Sequence, residues 1–257
     1  MNRSPSVCRA ISSAAATLAA MAWTLGAGCA GDVAEPYQLD HARILAVRTE
    51  PAQLGPGARA TLDALFTDST ATPRLATADE LTVALPPELD RPELRALLST
   101  TPEGVRLQAP DAGTLAQLRA ALAVPEGELL RLPLTVRVRS ADGVLHAQKL
   151  VAFGATLANP PPPTVAVDGA TVAPGAEAVL SASRETSLEV TTGDELSAVR
   201  WFSSTGELRR YTQPTAWFSA DDADAAGPGT SPGHLAVVLR TAAGGVSWRV
   251  LVTKLAR

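Results

Sequence analysis

Apolar and polar residues alternate along many short stretches of the chain, which is the spacing of strands that bury one face. A clear example follows a Pro-Gly turn and consists of Ala60, Leu62, Ala64 and Phe66. Longer alternating stretches flank Asp142-Gly143 and Gly244-Gly245, and a glycine-containing turn between two such stretches indicates a β-hairpin. The pattern therefore predicts a chain built mainly from strands.

One turn, with the strand after it, occurs twice in the sequence. "LGPGARATLDA" begins at Leu54 and "VAPGAEAVLSA" begins at Val172, and six of the eleven positions are identical. The two halves of the chain also end in similar hairpins. We therefore predict an all-β chain of two tandem β-sandwiches, in which each copy of the repeat forms the first turn and strand of a sandwich.

The first half is longer than the second, and its additional residues lie near 86–129, where the apolar spacing becomes helical. Asp90 stands shortly before a proline, as residues do at the beginning of a helix. Leu115, Leu118 and Leu122 have the spacing of one helix face. We predict one or two short helices inserted into the first sandwich, which either close its open end or bind a partner.

Four consecutive prolines in "NPPPP", residues 159–163, mark a domain boundary. Such a run favours the extended polyproline II conformation and interrupts a sheet. The predicted order is a signal peptide (1–28), a tether (29–40), a first sandwich (41–158), this proline-rich linker and a second sandwich (164–257).

Two tryptophans in the second half are predicted to fill the core of the second sandwich. Trp201 and Trp248 both lie in alternating apolar stretches, and large aromatic side chains usually fill the core of a small sandwich. Because no cysteine pair lies beside them, a core disulfide is not expected.

The first residues have the features of an export signal. Arg3 and Arg9 are followed by an uncharged apolar run that is too short and too rich in alanine to favour a membrane span. The run ends in "LGAGC", which resembles the lipobox of bacterial lipoproteins, in which lipid is attached to the cysteine and the preceding peptide is removed. Leu25 stands four residues before Cys29 instead of the usual three. An ordinary secretory signal is the alternative.

The cysteine content favours lipid attachment. Cys8 and Cys29 are the two cysteines of the sequence, and Cys8 leaves with the signal peptide. A single thiol has no disulfide partner in an oxidising compartment, whereas acyl chains such as palmitate on Cys29 would hold the protein at a membrane. We expect a lipid-anchored protein of the cell envelope, with the outer membrane preferred to the inner one.

The charge pattern argues against nucleic acid as a partner. The sequence has 22 Lys and Arg residues against 26 Asp and Glu residues, a formal net charge of −4, and no basic cluster stands out along it. The expected partners are therefore the membrane, through lipid on Cys29, and a protein of the envelope.

The lipobox, the opening "RILAVRTEP", the repeat and the ending "VVLRTAAGGVSWRV" together resemble a group of lipoproteins from GC-rich Gram-negative bacteria. Those lipoproteins carry tandem immunoglobulin-like domains, and the resemblance covers most of the chain after the signal peptide. It implies two immunoglobulin-like sandwiches at the envelope. It brings no catalytic residues, because its motifs are turns and hairpins.

One motif could indicate an enzyme. "GTSPG" at 229–233 matches the G-x-S-x-G pattern of serine hydrolases, with Ser231 as the nucleophile. That chemistry needs a helix after the serine, but the alternating "HLAVVLR" follows. Pro232 also lacks the N–H that should help to bind the oxyanion. A turn is the favoured interpretation, and a catalytic residue is not expected.

No cofactor or metal ion is predicted. "DDADAAG" at 221–227 has the phase of a calcium loop but lacks two of its carboxylate ligands, so a solvated acidic loop is favoured. His41, His146 and His234 are far apart and have no zinc-ligand spacing. No glycine-rich phosphate loop is present in the sequence.

Aromatic residues near the acidic loop could bind sugar. Tyr211, Trp217 and Phe218 lie close together in "YTQPTAWFSADD", although the whole sequence is only 4% aromatic and most rings are needed in the cores. The sequence favours a non-enzymatic, lipid-anchored envelope protein that acts as a scaffold or a protein-interaction and adhesion module. A carbohydrate-binding lipoprotein that uses the Tyr211–Trp217 region is the alternative, and a serine hydrolase at Ser231 is the third hypothesis.

Overall fold

Short strands connected by tight turns make up most of the computed structural model, which describes residues 35–102, 104–125, 127–191, 196–220 and 233–256. The strands are β1 (Arg43–Glu50), β2 (Gln53–Leu54), β3 (Arg59–Thr67), β4 (Arg74–Leu75), β5 (Leu81–Ala84), β6 (Leu98–Thr101), β7 (Gly104–Gln108), β8 (Leu130–Ser140), β9 (Gly143–Phe153), β10 (Thr164–Val167), β11 (Ala170–Thr171), β12 (Ala178–Ser181), β13 (Thr186–Thr191), β14 (Leu196–Ser203), β15 (Glu207–Arg209), β16 (Thr215–Ser219), β17 (Gly233–Thr241) and β18 (Val246–Ala256). The helices are a 3₁₀ turn at Pro87–Leu89 and α-helices at Pro92–Arg95 and Ala112–Ala121.

Four sheets form two sandwiches. In the first sandwich a sheet of order β1-β3-β7-β6, with β4 added at β3, faces a sheet of order β2-β9-β8-β5. In the second sandwich a sheet of order β11-β10-β13-β16-β15 faces a sheet of order β12-β18-β17-β14. Residues Pro36–Arg257 form one compact unit.

Both sandwiches have the same strand topology. The short strand β2 runs parallel to β9, and β12 runs parallel to β18 in the same way. The other strand pairings are antiparallel, and both C-terminal hairpins expected from the sequence are present, as β8-β9 and β17-β18. One sheet thus has the order A-B-E-D and the other A′-G-F-C, which is an immunoglobulin-like arrangement. The prediction of an all-β chain with two tandem immunoglobulin-like sandwiches is confirmed.

Each sandwich has its own apolar core. The first core includes Phe66 and Phe153, and the second includes Trp201 and Phe218, all of which are at most 1% exposed. Trp201 lies on β14, the strand in position C, where immunoglobulin domains carry a buried tryptophan. Its Nε1–H donates to the carbonyl oxygen of Gln213 at 3.0 Å, which satisfies the one polar group of the ring. The predicted core position of Trp201 is confirmed.

The two copies of the repeat occupy different positions in their sheets. In the first copy the predicted inward-facing residues, such as Leu62, are buried. In the second copy Ala178 and Leu180 are buried, whereas Ala182, predicted to face inward with them, is partly exposed. In the first copy the strand after the turn is β3, which lies between β1 and β7, whereas in the second copy it is β12, an edge strand paired with β18. A tight turn and one buried face specify a strand locally, but its partners depend on the rest of the chain. The copies are therefore not equivalent first strands, contrary to the prediction.

The region near 86–129 contains two strands of the first sandwich as well as helices. The helices Pro92–Arg95 and Ala112–Ala121 lie where helices were predicted. Asp90 does not cap the first of them, because Arg91 is its N-cap residue and the Asp90 carboxylate pairs with Arg95. Asp111 caps the second by accepting from the Thr114 N–H at 2.8 Å. Between them β6 and β7 complete one sheet, so this region is not a purely helical insertion. Strands of four or five residues give too few alternating positions to stand out from helical spacing.

The last residues of the predicted tether are part of the fold. Tyr37 and Leu39 are buried, and the chain beside them pairs with the end of β14. The Leu39 N–H donates to the Ser203 carbonyl and the Ser203 N–H donates to the Tyr37 carbonyl, both at 2.9 Å. Burial of these two large side chains stabilises the docked segment although the residues around them are small and polar. Any tether therefore ends before Pro36.

A third apolar cluster, the interface cluster, joins the two sandwiches. Its buried members are Leu39, Leu45, Ala46, Leu65, Phe202, Ala236, Val238 and Val246. They come from β1 and β3 on one side and from β14, β17 and β18 on the other, apart from Leu39 of the N-terminal segment. Trp248 packs against this cluster, so the prediction that it fills the core of the second sandwich is wrong. Alternation places Trp248 on the opposite face of β18 from the core residue Leu251.

The proline-rich linker is bound to both sandwiches. The Asn159 side-chain amide donates to the Thr49 carbonyl at 2.7 Å, and its Oδ1 accepts from the Val246 N–H at 2.8 Å. The Ser247 hydroxyl donates to the Pro161 carbonyl at 3.0 Å. The predicted spacer therefore also acts as a hydrogen-bonded connection between the sandwiches.

Candidate functional site

Several residues singled out in the sequence lie outside the described part of the chain. They are Cys29, the acidic loop at 221–227 and Ser231. His234, after that loop, is described and half-buried in β17, where burial lowers the pKa of its imidazole. Its backbone N–H donates to the hydroxyl oxygen of Ser204 at 2.7 Å.

Tyr211 and Trp217 do not form one flat platform. The Tyr211 ring packs against the core of the second sandwich and against Tyr37, with 5.2 Å between ring centroids and 49° between the ring planes. Trp217 is half-buried on β16 between Ser187 and Arg209 of the neighbouring strands. Because Phe218 next to it points into the core, alternation directs Trp217 to the outer face of the sheet.

The first sandwich has a basic sheet surface that was not predicted from the sequence. Arg131, Arg137 and Arg139 of β8 are exposed and point away from the core, because the residues between them in the strand are buried. Opposite Arg137 on β9 lies His146. We call Arg131, Arg137, Arg139 and His146 the arginine face. Within the described residues none of the three guanidinium groups makes a hydrogen bond or an ion pair.

Two large aliphatic side chains border the arginine face. Val144, opposite Arg139 on β9, is 55% exposed, and Leu150, opposite Pro133, is 59% exposed. The expectation that the chain has no basic cluster is thus wrong, because folding of β8 places three arginines on one face. In "RLPLTVRVRS" the arginines are separated by apolar residues, and the signal becomes visible only if the stretch is treated as a strand with two faces.

A second site lies between the sandwiches, where a cleft of about 450 Å³ separates β9 from the turn between β17 and β18. Lys149 of β9 is only 8% exposed there, and its Nζ donates to the Gly244 carbonyl across the cleft at 3.0 Å. Arg240 of β17 also lines the cleft and donates from Nη2 to the Leu45 carbonyl at 3.0 Å. The cleft thus brings two cationic side chains together from different sandwiches.

The cleft is electrostatically unusual for a buried site. Burial, together with the positive charge of Arg240, lowers the pKa of the Lys149 ammonium to about 8. Burial and the charge of Arg200 lower the pKa of Arg240. Within the described residues no Asp or Glu side chain lines the cleft. Buried ammonium groups are normally paired with a carboxylate, whereas the partner of Lys149 among the described residues is a carbonyl oxygen.

Side-chain contacts beside the cleft hold the sandwiches together. The Arg48 guanidinium stacks on Trp248 at 4.2 Å from the ring centroid and forms an ion pair with Asp63 at 2.8 Å. The Gln53 side-chain amide donates to the Ala243 carbonyl at 2.7 Å. These contacts, with Asn159 and the interface cluster, fix the walls of the cleft.

The described residues contain neither a metal-binding group nor a membrane-crossing helix. No group of three or more His, Cys, Asp and Glu side chains there could hold a metal ion. In the same residues, no helix has the length and apolar character needed to cross a membrane.

Comparison with known proteins finds similarity at the level of solved structures. No family model matches the chain, and no curated protein matches it. Extracellular domains 3–5 of Drosophila OTK are 11% identical with a TM-score of 0.26, and cover 84% of this chain and 62% of that one. The protocadherin gamma B4 extracellular domain is 12% identical with a TM-score of 0.26, over 84% of this chain and 34% of that one. Murine CEACAM1b is 8% identical with a TM-score of 0.26, over 82% and 100%.

The chain spans less than two thirds of the OTK and protocadherin structures that it matches. At these identities and TM-scores the similarity carries no inference about function. The fold assignment therefore rests on the strand order of this chain itself: two consecutive immunoglobulin-like sandwiches joined through their sheet faces.

Proposed function

We propose that this protein is a non-enzymatic, lipid-anchored protein of the cell envelope that binds an acidic protein partner through the arginine face. The observation that carries the proposal is the set of three exposed arginines on β8 without carboxylate partners in the described residues. Arginine is enriched in protein interfaces because its planar guanidinium binds carboxylates through two hydrogen bonds and stacks on neighbouring groups.

The surroundings of the arginines favour a protein over nucleic acid. The chain as a whole has a net charge of −4, so a polyanion that extended beyond the face would be repelled. Exposed Val144 and Leu150 add apolar surface beside the charges, and such a mixture is typical of an interface centre. An acidic patch on a folded partner matches both features.

A rigid connection between the sandwiches suits a scaffold. The interface cluster, Asn159 and the Arg48–Trp248 stack fix the arginine face relative to the second sandwich. Seven residue steps separate Cys29 from Pro36, where the fold begins. A fully extended chain of that length spans at most about 25 Å, so lipid on Cys29 would hold Pro36 within that distance of the bilayer.

Replacing the lipid-bearing residue should release the protein. The Cys29→Ala variant is expected to lose membrane attachment, because no thiol remains to carry the acyl chains. Fractionation of cells followed by high-salt and detergent extraction measures this, and Cys8→Ala is the matched control that should remain attached. A Cys29→Ala protein that stays in the membrane fraction after processing would contradict lipid anchoring.

Reversing one charge on the arginine face should weaken partner binding. Arg137→Glu is expected to lower the affinity for the partner by at least about thirtyfold, which is the effect of losing a hot spot of about 2 kcal/mol. The amount of partner recovered with the anchored protein should fall accordingly. Arg91→Glu changes the net charge equally at an exposed position before the helix Pro92–Arg95 and serves as the control. Equal recovery with both variants would remove the arginine face from the proposal.

Carbohydrate binding remains a second candidate because of one observation. Trp217 is half-exposed on the outer face of its sheet, where a sugar ring could stack on it. Tyr211 contributes less than the sequence suggested, because its ring packs against Tyr37. Trp217 lies in the second sandwich and the arginine face lies in the first. A probe placed beside Trp217 therefore distinguishes sugar binding from partner binding at the arginine face.

A further inference from the structure

The cleft between the sandwiches is lined by two cationic side chains, one from each sandwich, and by apolar side chains. We infer that it binds a small organic acid, with the carboxylate held by Lys149 and Arg240 and an apolar body lying in the rest of the cleft. The inference does not involve the arginine face, so either site can fail in an experiment without the other.

The Lys149 ammonium has N–H donors that bind no other group within the described residues. An ammonium group has three N–H donors, and one of those on Lys149 is directed to the Gly244 carbonyl. Nζ makes no further hydrogen bond within the described residues. Lys149 is more than nine-tenths buried and lines the cleft, so a ligand in the cleft is in reach of its remaining donors.

Arg240 reinforces the preference for an anion. It comes from the other sandwich, lines the same cleft and makes the environment of Lys149 more positive. None of the described lining residues is acidic, so within the described part of the chain the Lys149 ammonium has no carboxylate counter-charge. A bound carboxylate would supply that charge and could accept hydrogen bonds from both side chains.

The remaining lining defines the body of the ligand. Ile44, Pro133, Leu150 and Val246 line the cleft with apolar surface, and Leu150 is exposed at its margin. A volume of about 450 Å³ falls in the range of small-molecule sites, about 300–1,000 Å³. A short aliphatic acid fits this combination better than a fully polar anion such as phosphate.

A buried lysine without a carboxylate partner reduces the stability of the fold. Burial penalises the charged form, which is why the pKa of Lys149 falls to about 8. A methionine at this position would fill similar space without that penalty. Ligand binding gives a physical reason for the lysine, since a bound anion removes the penalty when the site is occupied.

The lysine content makes a direct test possible, with hexanoate as the probe. Lys149 and Lys254 are the two lysines of the sequence, so the full chain made with ¹³C-labelled lysine gives two side-chain Cε signals, and exposed Lys254 is the internal control. Hexanoate should shift the Lys149 signal saturably and raise the pKa of Lys149 by about one pH unit, because an adjacent anion favours the ammonium. The Lys254 signal should not respond.

The pH dependence of hexanoate affinity follows from the same linkage. The ammonium is protonated below about pH 8 and neutral well above it, so hexanoate should bind about tenfold more weakly at high pH than at neutral pH. A guanidinium group is not deprotonated in this interval, so Arg240 beside Lys149 does not contribute to the change. Arg137→Glu should leave hexanoate binding unaltered.

Three results would overturn the inference. The first is a Lys149 signal that does not change with millimolar hexanoate. The second is an equal response of Lys149 and Lys254, which would indicate unspecific association. The third is the same response to hexanol, which has the apolar body without the charge. The control variant Lys149→Met keeps the size of the side chain and is expected to fold. Its backbone amide signals at Gly244 and Val246 should not respond to hexanoate, whereas the same signals of the parent protein should.

Discussion

Trp201→Ala is expected to lower the free energy of unfolding by about 3–5 kcal/mol. The ring is completely buried in the core of the second sandwich, between sheets that supply Leu235, Val237 and Phe218 to the same cluster. Its removal leaves a cavity that rigid strands cannot close. It also leaves the Gln213 carbonyl without the indole N–H that it accepts.

Chemical denaturation followed by circular dichroism measures the effect. Trp217→Ala is the matched control, because it removes the same side chain from the outer face of a strand in the same sandwich and should cost well under half as much. If Trp201→Ala cost less than Trp217→Ala, the assignment of inner and outer faces in the second sandwich would be wrong.

Phe202→Ala is expected to separate the sandwiches while both cores stay folded. Phe202 follows Trp201 in β14, so its side chain points to the other face and into the interface cluster, where it is 3% exposed. Loss of this ring should weaken the association of the two sandwiches by about 3 kcal/mol. The contacts that remain are the smaller side chains of the interface cluster and hydrogen bonds such as those of Asn159, which are expected to hold the sandwiches less tightly.

Spin labels at Ser187 on the second sandwich and Thr82 on the first report this separation. Pulsed electron paramagnetic resonance should give one narrow distance distribution for the parent protein and a broad one for Phe202→Ala, with unchanged near-ultraviolet circular dichroism. Tyr211→Ala, which alters the edge of the second core instead of the interface, should keep the narrow distribution. A narrow distribution in Phe202→Ala would mean that the interface cluster is not what holds the sandwiches.

The sequence predicts which residues face inward far better than it predicts what covers an outer face. Alternation correctly places Leu62, Phe66 and Trp201 in cores, because a half-buried strand imposes a period of two. Trp248 has the same local pattern but packs at the interface cluster. No property of the local sequence distinguishes a face buried by the opposite sheet from one buried by another domain.

Non-local pairing explains the other differences. The repeat predicts a turn and a strand, yet β3 and β12 find different partners because strand pairing depends on distant residues. Short strands such as β6 contribute only four residues and are hidden between helical stretches. The N-terminal segment looks extended and polar apart from Tyr37 and Leu39, and its docking onto β14 depends on a strand more than 150 residues away.

Of the two candidate sites, one depends on a local sequence pattern and the other on packing between distant residues. The arginine face could be obtained from the sequence by assigning "RLPLTVRVRS" to a strand and listing its outward positions. The cleft could not, because Lys149 and Gly244 are 95 positions apart and meet only when the sandwiches pack together. A lone lysine in an alternating strand carries no sign of burial.

Site-specific photo-cross-linking in living cells tests most directly whether the arginine face binds a protein partner. A photoreactive amino acid would replace Thr135, which lies on the outer side of β8 between Pro133 and Arg137, or Ser187 beside Trp217. The expected result is one envelope protein cross-linked from Thr135, lost in Arg137→Glu, and no protein adduct from Ser187. No adduct from Thr135, or a protein captured only from Ser187, would contradict partner binding at the arginine face.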